Sequence, residues 1–85
     1  MSKHDKRINV LFANPKAVRF EDACRIAEAL GFHAQGGRGS HRTYGYQNEP
    51  LLLNFQNHDG YIKPYQARQL INMVNKYGAS LSIPH

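Results

Sequence analysis

The sequence predicts an α+β domain of order α-β-β-β-α, with a three-stranded antiparallel sheet and a short extra helix at the N-terminus. Three observations carry this. Apolar residues recur at helical spacing in two separate segments, around residues 19–30 and 64–77. The stretch between them changes to short runs rich in Thr, Tyr, Leu and Phe, cut by Gly, Asn and Pro. The links between these runs are too short for crossovers, so the strands form a meander. At 85 residues the chain makes one domain, because two cores cannot be built from it.

Each element has its own local reason. Residues 3–12 can form a short helix with Ile8, Leu11 and Phe12 as a weak apolar stripe, ended at Asn14-Pro15. A connector follows at 15–18. In the helix at 19–30, Phe20, Ala23, Cys24, Ala27 and Leu30 share a face. Glu21 and Asp22 suit its positive end, and Gly31 stands where a C-cap belongs. The first strand is expected at 32–35. Gly36-Gly37-Arg38-Gly39 then forms a flexible basic turn. The second strand covers 40–46, with Thr43, Tyr44 and Tyr46 as its strand formers. After the turn at 47–50, the third strand covers 51–56, with Leu51, Leu53 and Phe55 alternating on one face. Asn57-His58-Asp59-Gly60 makes the last turn. Pro64 opens the final helix, in which Ala67, Leu70, Ile71, Val74 and Tyr77 form the buried face and Gly78 closes the element. The domain core thus spans about 15–78, and the tail at 79–85 should be loosely held. Two helices on one face of a three-stranded sheet give a double-stranded-RNA-binding-domain-like sandwich.

Composition narrows the function. No apolar run exceeds four residues, far too short to span a membrane, and no secretory signal pattern is present. Cys24 is the single cysteine, so no internal disulfide and no cysteine cluster for a metal is expected; a reducing cytoplasm is the simplest compartment. The formal charge of +5 points toward an anionic partner, nucleic acid first. The glycine turn is not a phosphate loop, since no Lys-Ser/Thr follows it and it joins two strands. No pair of acids sits close in sequence on one strand or loop for metal-dependent hydrolysis. An enzyme of this composition is expected to work without a metal or small-molecule cofactor, through histidine acid–base chemistry.

Of the five histidines, His4 and His85 lie near the chain ends. His33 falls in the first strand and His58 in the last turn. His41 stands just after the glycine turn at the start of the second strand, a position rigid enough to hold an imidazole. Nearby glycines let other backbone approach it, and Arg38 and Arg42 flank it as candidate phosphate contacts. A free histidine titrates at about 6.5, near what proton transfer at neutral pH requires.

Gly39-Ser40-His41-Arg42-Thr43-Tyr44, after a helix ending Leu30-Gly31-Phe32, resembles the signature of the HicA (YcfA-like) toxin family. Asn14-Pro15, Val18-Arg19-Phe20, Leu53-Asn54-Phe55-Gln56, Gly60 and Lys63-Pro64-Tyr65-Gln66 extend the resemblance, in order, over about residues 8–78. It implies a ribonuclease toxin of a type II toxin–antitoxin pair, acting on mRNA and neutralised by a HicB-type antitoxin. The family's single essential histidine maps onto His41. Family members often end the third strand with Pro-x-His. Phe55-Gln56-Asn57-His58 departs from that pattern, so no role passes to His58.

On this reading His41 is the general acid or base. Arg38, Arg42 and Lys63 contact phosphate, and Gly39 and Ser40 shape the loop. Tyr44, His33 or a water fills the second proton-transfer role. Tyr44 and Tyr65, with Tyr46 and Tyr61 behind them, are candidates for base stacking. The rival readings are a non-catalytic RNA-binding module of the same fold and a domain whose basic face binds only an acidic antitoxin.

Overall fold

A computed structural model describes residues 3–78. Along the chain lie α1 (Lys3–Ala13), a 3-10 turn (Pro15–Ala17), α2 (Phe20–Leu30), β1 (His33–Gly36), β2 (His41–Gly45), β3 (Leu53–Gln56) and α3 (Pro64–Tyr77). The strands form one antiparallel sheet in the order β1-β2-β3. The helices cover one face of it, giving the expected α+β class and the α-β-β-β-α order behind an extra helix. The tail at 79–85 lies outside the described residues. Among the described residues no helix is long and apolar enough to cross a membrane.

Helix α2 supplies the centre of the core. Phe20, Ala23, Cys24, Ala27 and Leu30 are buried as their spacing predicts, and Ile26 joins them. Gly31 caps the helix in the left-handed conformation at φ +102°, its N–H donating to the Ala27 and Glu28 carbonyls. Any side chain there would also collide with the Tyr46 ring. Helix α3 buries Ala67, Leu70 and Val74 together with Met73. Gly78 does not form the expected left-handed cap; it stays in right-handed geometry, with its N–H on Val74. On α1, Ile8 and Leu11 are buried but Phe12 is exposed, so its apolar seam is narrower than the sequence implied. Arg7 ties α1 to α2 through Asp22 at 3.3 Å.

Two features of the β3 region differ from expectation. The strand begins at Leu53, not at residue 51, and Leu51 and Leu52 are exposed. The cause is Glu49. Its carboxylate accepts from Leu51 N–H, from Lys76 Nζ at 2.6 Å and from the Tyr77 hydroxyl. The loop is therefore pinned to the end of α3 before the chain can join the ladder. The other feature is Gln66, the only polar residue among the buried side chains described. Its Oε1 accepts from Lys63 N–H at 3.1 Å and from Gln56 N–H at 3.2 Å. The first bond closes half of a capping box at the start of α3; Lys63 cannot return it, because an ammonium has no lone pair. The second satisfies an amide at the outer edge of β3, where no strand is present to do so.

Replacing Gln66 with Leu keeps the volume but strips both amides of their acceptor, and should cost about 1–3 kcal/mol in urea-unfolding measurements. Glu49 predicts an acid response. Its bonds to Lys76, Tyr77 and Leu51 hold the carboxylate down at about 2, against an ordinary 4.5. The stability it contributes is present above about pH 4.5 and is lost as pH falls toward 2. Thermal melts between those limits should show a declining midpoint, and the slope should flatten in Glu49→Gln.

Candidate functional site

Strand alternation decides what surrounds His41. Tyr44 on β2 and Leu53 and Phe55 on β3 point into the helix layer and are buried. Arg42 shares Tyr44's side of β2, and its guanidinium lies 5.9 Å above the Phe20 ring on α2. His41 and Thr43 therefore project from the opposite, open face, as do Asn54 and Gln56 on β3. A bond of 2.8 Å from the Thr43 hydroxyl to Asn54 Oδ1 joins the two strands on that face. No carboxylate occurs in any of the three strands.

His41 is exposed, but its backbone is held on several sides. Its N–H donates to the Arg38 carbonyl at 2.9 Å, and the preceding Ser40 carbonyl accepts from Asn57 N–H at 2.7 Å. Gly37, at φ +114°, packs so close that a Cβ there would lie 2.4 Å from the His41 carbonyl oxygen. Gly37 is thus the glycine that the approach to His41 demands, whereas Gly39, at φ +57°, faces open space. Across the ladder His41 stands opposite Gln56. The Ser40–Asn57 bond makes this a non-hydrogen-bonded pair, the kind in which facing side chains come closest. Gln66 in turn anchors Gln56 from behind.

The residues expected around His41 separate into three groups. Arg38, Gly39 and Ser40 remain beside it in the exposed turn. Arg42 does not join them on the open face. It lines a pocket of about 300 Å³ with Phe20, Cys24 and Glu28 of α2 and, from the turns beside His41, Gly39 and Asn57. Lys63 stands on the far side of β3, at the start of α3, where it shares another cavity with Lys16 and His58. The cations read as one cluster thus occupy three places, because alternation puts Arg42, still exposed, on the helix side of the sheet and β3 intervenes before Lys63.

Tyr44 requires correction. Its ring is fully buried against Phe55, with centroids 5.9 Å apart, and its hydroxyl donates to Glu28 Oε2 at 2.9 Å. It has no face to offer a base. Burial, with the Cys24 and Glu28 hydrogen bonds, raises its pKa well above the ordinary phenol value, so it stays protonated at neutral pH. Burial likewise pushes the Cys24 thiol up. His33 pairs with Gly45, four residues along β2 from His41. That is about 13 Å at strand rise, too far for both imidazoles to serve one phosphodiester. Of the groups considered for the second proton transfer, water remains. Tyr46 packs against Phe32 and Tyr77 and has a structural role. Tyr65 keeps a half-exposed ring at the start of α3, and Tyr61 lies partly exposed beside Arg19. Among the described residues no three His, Cys, Asp or Glu side chains gather in a metal-binding group.

Several site residues escaped the sequence reading. Gln66 was visible only as part of a motif, although the Lys63-x-x-Gln66 spacing is that of a helix cap. Alternation puts Asn54 and Gln56 on the face of β3 opposite Leu53 and Phe55, but nothing local indicates that they stand beside His41.

No family model, curated protein or solved structure matches this chain.

Tyr44→Phe should lower stability by about 1 kcal/mol through the lost bond to Glu28, measured by chemical denaturation.

Proposed function

We propose that this protein is a metal-independent ribonuclease of double-stranded-RNA-binding-like fold, the toxin of a type II toxin–antitoxin pair, with His41 as its acid–base group. The observation that carries this reading is the placement of His41: an exposed imidazole on a braced strand start, on an open polar face with no carboxylate in its strands. A flat exposed face suits a polymer better than a small molecule.

In the proposed reaction the ribose 2′-oxygen attacks the adjacent phosphorus, and the bond to the 5′-oxygen breaks. One proton leaves the 2′-hydroxyl and another reaches the 5′-oxygen. His41 handles one of these transfers and water the other. The products are a 2′,3′-cyclic phosphate and a 5′-hydroxyl. Arg38, whose carbonyl accepts from His41 N–H, and the turn at Gly39 and Ser40 would hold the reacting phosphate. Lys63, at the positive end of α3, would hold a phosphate farther along the strand, and Tyr65 offers a ring for a base. Arg42, drawn to α2, contributes to the positive field rather than to contact. A HicB-type antitoxin with an acidic surface would compete with mRNA for the same cations, in the cytoplasm.

The second reading, a non-catalytic RNA-binding module, draws on one observation: among the described residues, neither Tyr44 nor His33 is placed to act with His41.

The purified chain should cut mixed mRNA in the presence of EDTA and leave 2′,3′-cyclic ends. His41→Ala should reduce the rate by about 10² to 10⁴. RNA left intact by the wild type removes the enzyme reading, and equal cutting by the alanine form removes the assignment of His41.

A further inference from the structure

We infer that the cavity between the Pro15–Ala17 turn and the chain at 58–64 is a nucleotide subsite, which takes one unpaired base of the RNA against Tyr61 and the adjoining phosphates on Lys16 and Lys63. This inference rests on the proposal that the chain binds RNA, and adds to it a place for the strand beyond His41.

The cavity has built walls. His58 and Tyr61 exchange backbone bonds, His58 N–H to the Tyr61 carbonyl at 2.8 Å and Tyr61 N–H to the His58 carbonyl at 3.0 Å. Between them Asp59 and Gly60 both have positive φ, +54° and +92°, the pattern of a type I′ turn. Asn57 Oδ1 accepts from Gly60 N–H at 2.7 Å and braces the turn. The same segment pairs with the approach to α2: Phe20 N–H donates to the Gly60 carbonyl and Ile62 N–H to the Val18 carbonyl, each at 2.9 Å. A wall held in this way is formed before a ligand arrives, so little ordering is lost on binding.

Size and lining define the occupant. At about 420 Å³ the space exceeds the Arg42 pocket and falls at the lower end of the range for small ligands, about 300–1,000 Å³. Tyr61, Ile62, Pro64 and Ala17 give it an apolar wall with one aromatic ring. Tyr61 is 40% exposed although Arg19 lies over its ring, 5.8 Å from the centroid. Such a wall takes a base by stacking, whatever its identity. Lys16 and Lys63, both exposed, line the cavity as well. Among the described residues neither has an ion pair, nor has Arg19. Asp59 is the one carboxylate in the lining, and its left-handed backbone accounts for it as a turn residue. Unpaired ammonium groups beside an apolar, aromatic wall fit a ligand that joins an anionic backbone to a flat ring, which is a nucleotide. A base inside the cavity has no room for a pairing partner, so the site favours single-stranded RNA.

The cavity also lies within reach of His41. Gln56 stands opposite His41, Asn57 N–H bonds to the Ser40 carbonyl, and His58 already lines the cavity. From Gln56 to His58 is about 7 Å at strand rise. A strand held at His41 therefore needs only a short extension to enter.

The test measures binding of 2′-O-methyl oligouridylate, which cannot be cleaved through the 2′-oxygen, to the full chain over a range of salt. Tyr61→Leu removes the ring and should weaken binding about tenfold. Lys16→Ala should weaken it and lower the slope of log affinity against log salt by about 0.7, the value for one phosphate contact to a single strand. Lys6→Ala, which removes a cation of α1 outside the cavity, should leave that slope unchanged. Asp59→Asn keeps the type I′ turn and should tighten binding, an effect that loss of folding cannot mimic. Unchanged affinity in Tyr61→Leu, equal slopes in Lys16→Ala and Lys6→Ala, or equal binding of an RNA duplex overturns the inference. A parallel cleavage assay on mRNA separates it from the ribonuclease reading. Cutting by a wild type whose binding is unaltered in Tyr61→Leu and Lys16→Ala retains the ribonuclease and removes the subsite. Binding that depends on the ring and the lysine, without cutting, does the reverse. RNA that the wild type neither binds nor cuts removes both.

Discussion

The buried amide of Gln66 links the parts of this small domain that bear on the candidate site. One carbonyl oxygen accepts from Lys63 N–H, which starts α3, and from Gln56 N–H, which ends β3. A sheet of three strands has two open edges, and an open edge leaves amides without partners. Here a helix side chain satisfies one of them at the point where β3 runs alongside His41. The helix, the strand end and the histidine are thereby referenced to one another through a single side chain. Because a buried acceptor in low dielectric holds its donors firmly, the link fixes geometry as well as adding stability.

Glu49 plays the corresponding part at the other end of β3. By taking bonds from Leu51, Lys76 and Tyr77 it holds the β2–β3 connection against α3 and shortens the strand. Between these two anchors β3 has only four residues, Leu53–Gln56. Two of them fill the core and two complete the open face. So short a strand has little freedom to slip in register, and a slip of one residue would bury Asn54 and Gln56 and expose Leu53 and Phe55. The register that protects the core is the same one that places Gln56 across from His41.

That register also sorts the charges. A residue and its neighbour on a strand point to opposite faces, so adjacency in sequence is separation in space. His41 and Arg42 are adjacent and both exposed, yet one projects from the open face while the other lies over Phe20 on the helix side. Thr43 and Asn54 are 11 residues apart, yet they share a hydrogen bond. The open face is consequently less cationic and richer in amides than the motif around the glycine turn implies.

The kinds of element and their order were legible in the sequence, because helical and strand periodicity, the Asn14-Pro15 stop, the Gly31 cap and the glycine turn are all local effects. It also singled out His41, since a histidine behind a glycine turn at a strand start is a local pattern. Strand ends were less legible: the exposure of Leu51 and Leu52 follows from a bond between Glu49 and the far end of α3, which no local window contains. The company His41 keeps follows from long-range packing instead. Packing the sheet on α2 buried Tyr44 and drew Arg42 to the helix side, the path of β3 set Lys63 apart, and strand pairing brought Asn54 and Gln56 alongside. Those outcomes depend on which face of the sheet meets the helices, and that choice is made by the whole core rather than by any one segment.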